Sequence, residues 1–112
     1  MLGAGKARVF YYAAVCDMRK QMCGLSNLVR NELGREPEDG ELYLFRNRRK
    51  DLIKILFYDR GGFCLLAKRL GSGTFQIEVD LAEGVAHVEL SARELTELLS
   101  NARIVQKRAS PS

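Results

Sequence analysis

Between residues 42 and 70 the chain alternates three short apolar runs with two compact turn signals, and that succession leaves few folds open. The runs 42–46, 52–58 and 63–69 are separated by Asn47-Arg48-Arg49-Lys50-Asp51 and by Asp59-Arg60-Gly61-Gly62. Both connections are too short for the crossover a parallel pair requires, so they predict antiparallel hairpins. With Asn47 opposite Leu52 and Tyr58 opposite Phe63, alternation places Leu42, Leu44, Ile55, Phe57, Cys64 and Leu66 on one face of the sheet. Tyr43, Phe45, Lys54, Leu56, Tyr58, Phe63, Leu65 and Arg69 then share the other face.

The flanking sequence supplies the remaining elements. Residues 8–14 are rich in aromatic and β-branched side chains and predict a first strand, central because both its faces are apolar. Asp17 is placed to cap a helix whose apolar stripe is Met18, Met22, Leu25, Leu28, Val29 and Leu33, with Gly34 as its stop. Gly24 weakens that helix by about 1 kcal/mol relative to alanine. Close packing on the sheet would explain its presence. A polar loop holding Pro37, Asp39 and Gly40 leads into the hairpins. Residues 74–79 and 85–90 predict two further strands, and Ser91-Ala92-Arg93-Glu94 has the spacing of a capping box for a short helix carrying Leu95, Leu98 and Leu99. The ends, about 1–6 and 103–112, are polar or small and are expected to fray. The fold class expected is α+β, in a single domain over 1–112. A mostly antiparallel sheet of five to six strands would carry one helix on a face, with a short C-terminal helix beyond it.

Composition narrows the class further. A length of 112 residues with 46% hydrophobic content is enough for one core. No apolar run nears the roughly 20 residues of a membrane helix. The first residues lack a charged leader with a long apolar core, so a cytoplasmic protein with no membrane partner is expected. Cys16, Cys23 and Cys64 lack the close pairing of zinc sites and there is one histidine, His87, so no metal and no cofactor is expected.

Charge is the most informative functional signal. From Arg46 to Arg69 there are eight Lys or Arg against two acids, while the whole chain carries only +4. Arg46, Arg48, Arg49, Lys50 and Lys54, extended by Lys68 and Arg69, form a candidate surface for nucleic acid or an acidic partner. Tyr43, Phe45, Tyr58 and Phe63 are candidates for base stacking beside those cations. The alternative is that the aromatic face is covered by a helix, by further strands or by a second subunit. A charged hairpin tip, likewise, also serves solubility alone. No helix-turn-helix signature points to major-groove reading.

Catalysis finds little support. Asp17, Asp51, Asp59 and Asp80 could in principle assemble a metal-dependent nuclease site, but each has a simpler role as a cap or turn former. Ser91 belongs to the capping box. His87 has no neighbour that indicates a triad. Gly3-Ala4-Gly5-Lys6 lacks the spacing and the hydroxyl residue of a phosphate-binding loop and precedes a strand.

The chain resembles the small accessory proteins, called TnpB or Orf-two, of the IS-sixty-six family of bacterial insertion sequences. The resemblance rests on Asp17-Met18-Arg19-Lys20, on residues 45–51, on residues 54–63, and on Lys68-Arg69-Leu70 followed by Gly73-Thr74-Phe75. Together these span about residues 7–99. The resemblance implies a non-catalytic protein encoded beside a larger transposase and assisting mobility of the element, unrelated to the RNA-guided nuclease that shares the name. Expected partners are that transposase and the DNA of the element ends, with a homodimer as a further expectation. No catalytic residue is carried over. Departures are the lack of tryptophan near Phe57-Tyr58 and Gln76-Ile77 in place of a Trp-Pro pair, which weaken stacking capacity. The competing classes are an architectural dimer or protein-interaction module without nucleic acid, and a metal-dependent nuclease helper.

Overall fold

The predicted hairpins form three successive strands of a mixed sheet in which the first strand lies inside, between the hairpins and one edge strand. The computed structural model describes residues 7–80, 86–100 and 104–108. In chain order the elements are β1 (Val9–Tyr12), α1 (Met22–Leu28), a π-helical turn (Val29–Leu33), β2 (Leu42–Arg46), β3 (Leu52–Asp59), β4 (Gly62–Arg69), β5 (Ile77–Asp80), β6 (His87–Leu90), α2 (Ala92–Leu99) and β7 (Ile104–Arg108). The main sheet has the order β4-β3-β2-β1-β6, and β5 and β7 form a separate parallel pair. Only β1 and β2 run parallel within the main sheet, and the α1 segment supplies the crossover that such a pair requires.

Register follows from turn length. Asn47 N–H donates to Leu52 O at 3.1 Å, and Tyr58 stands opposite Phe63. At the second turn Arg60 and Gly61 both have positive φ, 50° and 86°, the backbone of a two-residue hairpin whose twist suits the strands it joins.

One apolar cluster joins Val9, Tyr11, Leu42, Leu44, Ile53 and Ile55 to Phe75 and Ile77 and to Leu95 and Leu98 of α2. The second packs Phe10, Tyr43, Phe45 and Leu56 under Leu25, Val29 and Leu33. Fully burying a Leu or Val side chain contributes about 1.5–3 kcal/mol. Three such residues therefore outweigh the cost of Gly24, and α1 stays seated on the sheet.

Two expectations are corrected. Asp17 does not cap α1: its Oδ1 accepts from Arg19 N–H at 3.0 Å, and a turn closes with Lys20 N–H donating to Asp17 O at 3.1 Å. The helix begins only at Met22, which is exposed, because the Met18 and Lys20 carbonyls point instead to a lysine of the sheet. Gly24 is hemmed in by Lys20 rather than by the sheet, since a Cβ there would lie 3.2 Å from Lys20 Cβ. Residues 104–108 form β7, which pairs with β5. Gly34 does end the helical segment with φ 66°, and the capping box forms, Ser91 Oγ accepting from Glu94 N–H at 3.0 Å and Glu94 Oε1 from Ser91 N–H at 2.7 Å. The 1–6 end and the predicted turn at 81–84 lie outside the described residues.

Candidate partner-binding tip

The β2–β3 turn is built by Asn47. Its Oδ1 accepts from the N–H groups of Asp51 and Leu52, both at 3.1 Å, and its Nδ2 donates to Asp51 Oδ1 at 2.6 Å. Lys50 takes a positive φ of 64° to close the loop, with its N–H on Asn47 O. From the other side, Phe75 N–H donates to Lys50 O at 2.7 Å and Leu70 N–H to Asp51 O at 2.8 Å. Pinned at both flanks, the turn projects Arg48, Arg49 and Lys50 into solvent. Among the described residues none of these three side chains has a carboxylate within ion-pair distance. The Asn47 amide, then Arg69 and Arg49, holds the Asp51 carboxyl below the usual carboxylate range.

Beside the tip lies an open cleft of about 490 Å³, walled by Val15, Cys16, Asp17 and Met18 on one side and by Asn47, Arg48 and Arg49 on the other. Cys16 N–H donates to Arg46 O at 3.2 Å, fixing the 13–17 segment to the end of β2. Val15 is a large apolar side chain left 57% exposed at this wall. Asp17 pairs with Arg19 at 2.8 Å, and the Arg19 side chain and backbone N–H pull its carboxyl down to about 2. Sequence reasoning did not find this cleft. Val15 was its one available signal, an apolar residue stranded between a strand and a polar turn.

The remaining predicted cations do not join Arg48, Arg49 and Lys50 in one patch. Arg46 turns inward, with Nη1 donating to Phe75 O at 2.8 Å and its guanidinium 5.7 Å from the Tyr11 ring centroid. Lys68 lies on the same face, its ammonium on Leu99 O, where a cation suits the C-terminal end of α2. Lys54 is buried on the opposite face and donates to Met18 O at 2.8 Å and Lys20 O at 3.0 Å. Arg69 is exposed near the tip and pairs with Asp51 at 3.4 Å. Three of the seven candidates are therefore internal clamps on backbone carbonyls.

The stacking face is likewise corrected. Tyr43 and Phe45 are 0% exposed beneath α1 and its π-helical turn. Tyr43 O–H donates to Asp39 Oδ2 at 2.7 Å and accepts from Arg35 Nε at 3.2 Å; burial, then that hydrogen bond to Asp39, pushes its pKa up and keeps the phenol protonated. The same Arg35 lies 4.0 Å over the Phe10 ring. Tyr58 and Phe63 are half-buried and meet edge-on at 5.1 Å, but at the other end of the hairpin. The six steps of strand from Leu52 to Tyr58, at about 3.3 Å each, hold them roughly 20 Å from the foot of the basic turn.

The nuclease constellation does not assemble. Asp51 and Asp59 stand at opposite ends of β3, and Asp17 is engaged by Arg19. No group of three or more metal-ligating side chains converges among the described residues. None of the helices among those residues is long and apolar enough to cross a membrane.

Two proteins of Sinorhizobium fredii (strain NBRC 101917 / NGR234) are similar: the uncharacterized protein y4hO, 38% identical over 101 residues covering 89% of this chain and 85% of that one, and the uncharacterized protein y4jC, 32% identical over 89 residues covering 79% and 75%. No solved structure matches. The family model described as IS66 Orf2 like protein matches residues 7–109, which takes in both sheets, both helices and the basic tip. The chain belongs to the IS66 Orf2-like family, whose members are tied to insertion sequences as accessory rather than catalytic proteins.

Proposed function

We propose that this protein is a non-catalytic accessory factor for transposition that docks on the separate transposase of its element through Arg48, Arg49 and Lys50, with Arg69 at the margin. The observation that carries this reading is the pinned, exposed run of three cations beside an apolar wall formed by Val15 and Met18. Guanidinium groups pair with carboxylates in two-point fashion, and an apolar neighbour adds burial, so an acidic protein segment with a hydrophobic anchor fits the cleft. A second reading, contact with the phosphates of element-end DNA, is favoured by the lack of intramolecular ion pairs at the three cations among the described residues. Base stacking plays no part in either reading.

The test is capture of the neighbouring transposase, with and without element-end DNA, at two salt concentrations. Arg48→Glu with Arg49→Glu is expected to abolish capture while the circular dichroism spectrum stays unchanged. DNA contact through phosphates shows instead as an affinity that collapses with salt. Undiminished binding of both transposase and DNA by the double variant overturns the assignment of this surface.

A further inference from the structure

The sheet ends on β4, and that edge is built unlike a protected one. No strand among the described residues pairs with its outer side. It pairs with β3 without a break over eight residues, so no bulge twists it away, and it holds no proline. Its charges, Lys68 and Arg69, come last, after the apolar run Phe63-Cys64-Leu65-Leu66-Ala67. Leu66 is 38% exposed and Ala67 is exposed. A long, flat, apolar edge is a template for another strand, and proteins that leave one uncovered aggregate.

The hydrogen-bond pattern says which groups await a partner. Leu70 N–H donates to Asp51 O, so even-numbered β4 residues face β3. Phe63, Leu65, Ala67 and Arg69 therefore direct N–H and C=O outward. These positions are self-complementary. An antiparallel partner related by a two-fold axis through Leu65 sets Leu65 against Leu65, Phe63 against Ala67 and Cys64 against Leu66. The same axis sets Lys68 and Arg69 against Gly62 and Gly61, which present no side chain, and no two cations meet. Outward-facing groups then meet outward-facing groups at 63, 65 and 67.

From this we infer that the protein forms a dimer in which β4 pairs antiparallel with β4 of a second copy, centred on Leu65, joining two five-stranded sheets into one. A second copy is the occupant because apolar residues oppose apolar ones, and cations oppose glycines, only when this strand meets itself in this register. The proposal is independent of the basic tip.

The test is sedimentation equilibrium of the full chain over a concentration series. The expected mass is twice the 12.6 kDa of one chain. Ala67→Pro deletes an outward N–H without touching a bond to β3 and is expected to return the mass to one chain with an unchanged circular dichroism spectrum; Ala67→Ser keeps the dimer. A wild-type mass of one chain throughout, or a dimer that survives Ala67→Pro, overturns the proposal. A second measurement does not depend on the folding of the proline variant. In a Cys23→Ser background, Leu66→Cys is expected to cross-link to Cys64 of the second copy under mild oxidation, and adding Cys64→Ser is expected to abolish the link. Absence of the link in folded protein, or its persistence without Cys64, overturns the pairing.

Discussion

Seven basic side chains of similar chemistry do different work here, and their surroundings decide which. Lys54 is the clearest case, because its ammonium satisfies two carbonyls of the turn leading into α1 from beneath the helix. Lys54→Met keeps much of the volume but leaves both carbonyls without that donor. At about 1 kcal/mol or more for each unmet group, the variant is expected to lose roughly 2–3 kcal/mol, read as a lower urea midpoint. Arg49→Glu, on the solvated tip, is expected to stay within about 0.5 kcal/mol of wild type in the same assay. An equal loss for the two variants contradicts the division between clamp and tip. Asp17 offers a test by pH. Its folded carboxyl sits at about 2 against an ordinary 3.8, chiefly through Arg19. Because the folded value is the lower one, the pairing contributes fully above about pH 4. It is lost as pH falls through the folded value. Carboxyl chemical shifts are expected to titrate near 2 in the wild type and to move back toward 3.8 in Arg19→Ala; identical midpoints exclude the contact. The sequence revealed the residue types and the face of Lys54, by alternation. It could not reveal that a helix 30 residues earlier would close over that face and turn a surface charge into an internal bond.

Elements were legible wherever the controlling interactions were local. Hairpin register came from turn length, Gly34 from its left-handed backbone and α2 from a reciprocal cap within four residues. The start of α1 was misread for the opposite reason. Asp17 is a good cap in isolation, but Lys54, distant in sequence, holds the intervening carbonyls in a non-helical turn. The second hairpin turn shows a local compromise, since Arg60 occupies a left-handed conformation with φ 50°. Asn tolerates that region better than a long side chain does and is preferred before glycine in such turns. Arg60→Asn is therefore expected to stabilise the protein by about 0.5–1 kcal/mol, visible as a higher melting temperature. A lower one contradicts the turn assignment.

At the scale of the molecule, apolar alternation showed that both faces of the sheet needed cover without saying what supplied it. α1 and its π-helical turn cover one face, and α2 with the Phe75–Ile77 segment covers the other. The aromatic face was thereby removed from the candidate site, which shrank to a tip and its cleft. The C-terminal strand escaped notice because 104–108 is short and partly polar, and its partner β5 lies across α2 in sequence. The interior place of β1 has a consequence for synthesis. Val9 pairs with Leu42 on one side and with Leu90 on the other. Made before either neighbour, this strand leaves the ribosome with two open flanks, and its second flank stays empty until almost all of the sheet has been translated. Until β6 is made, the nascent sheet thus ends on β1, a strand that the finished fold keeps inside, and protection from wayward pairing during translation matters most around residues 9–12.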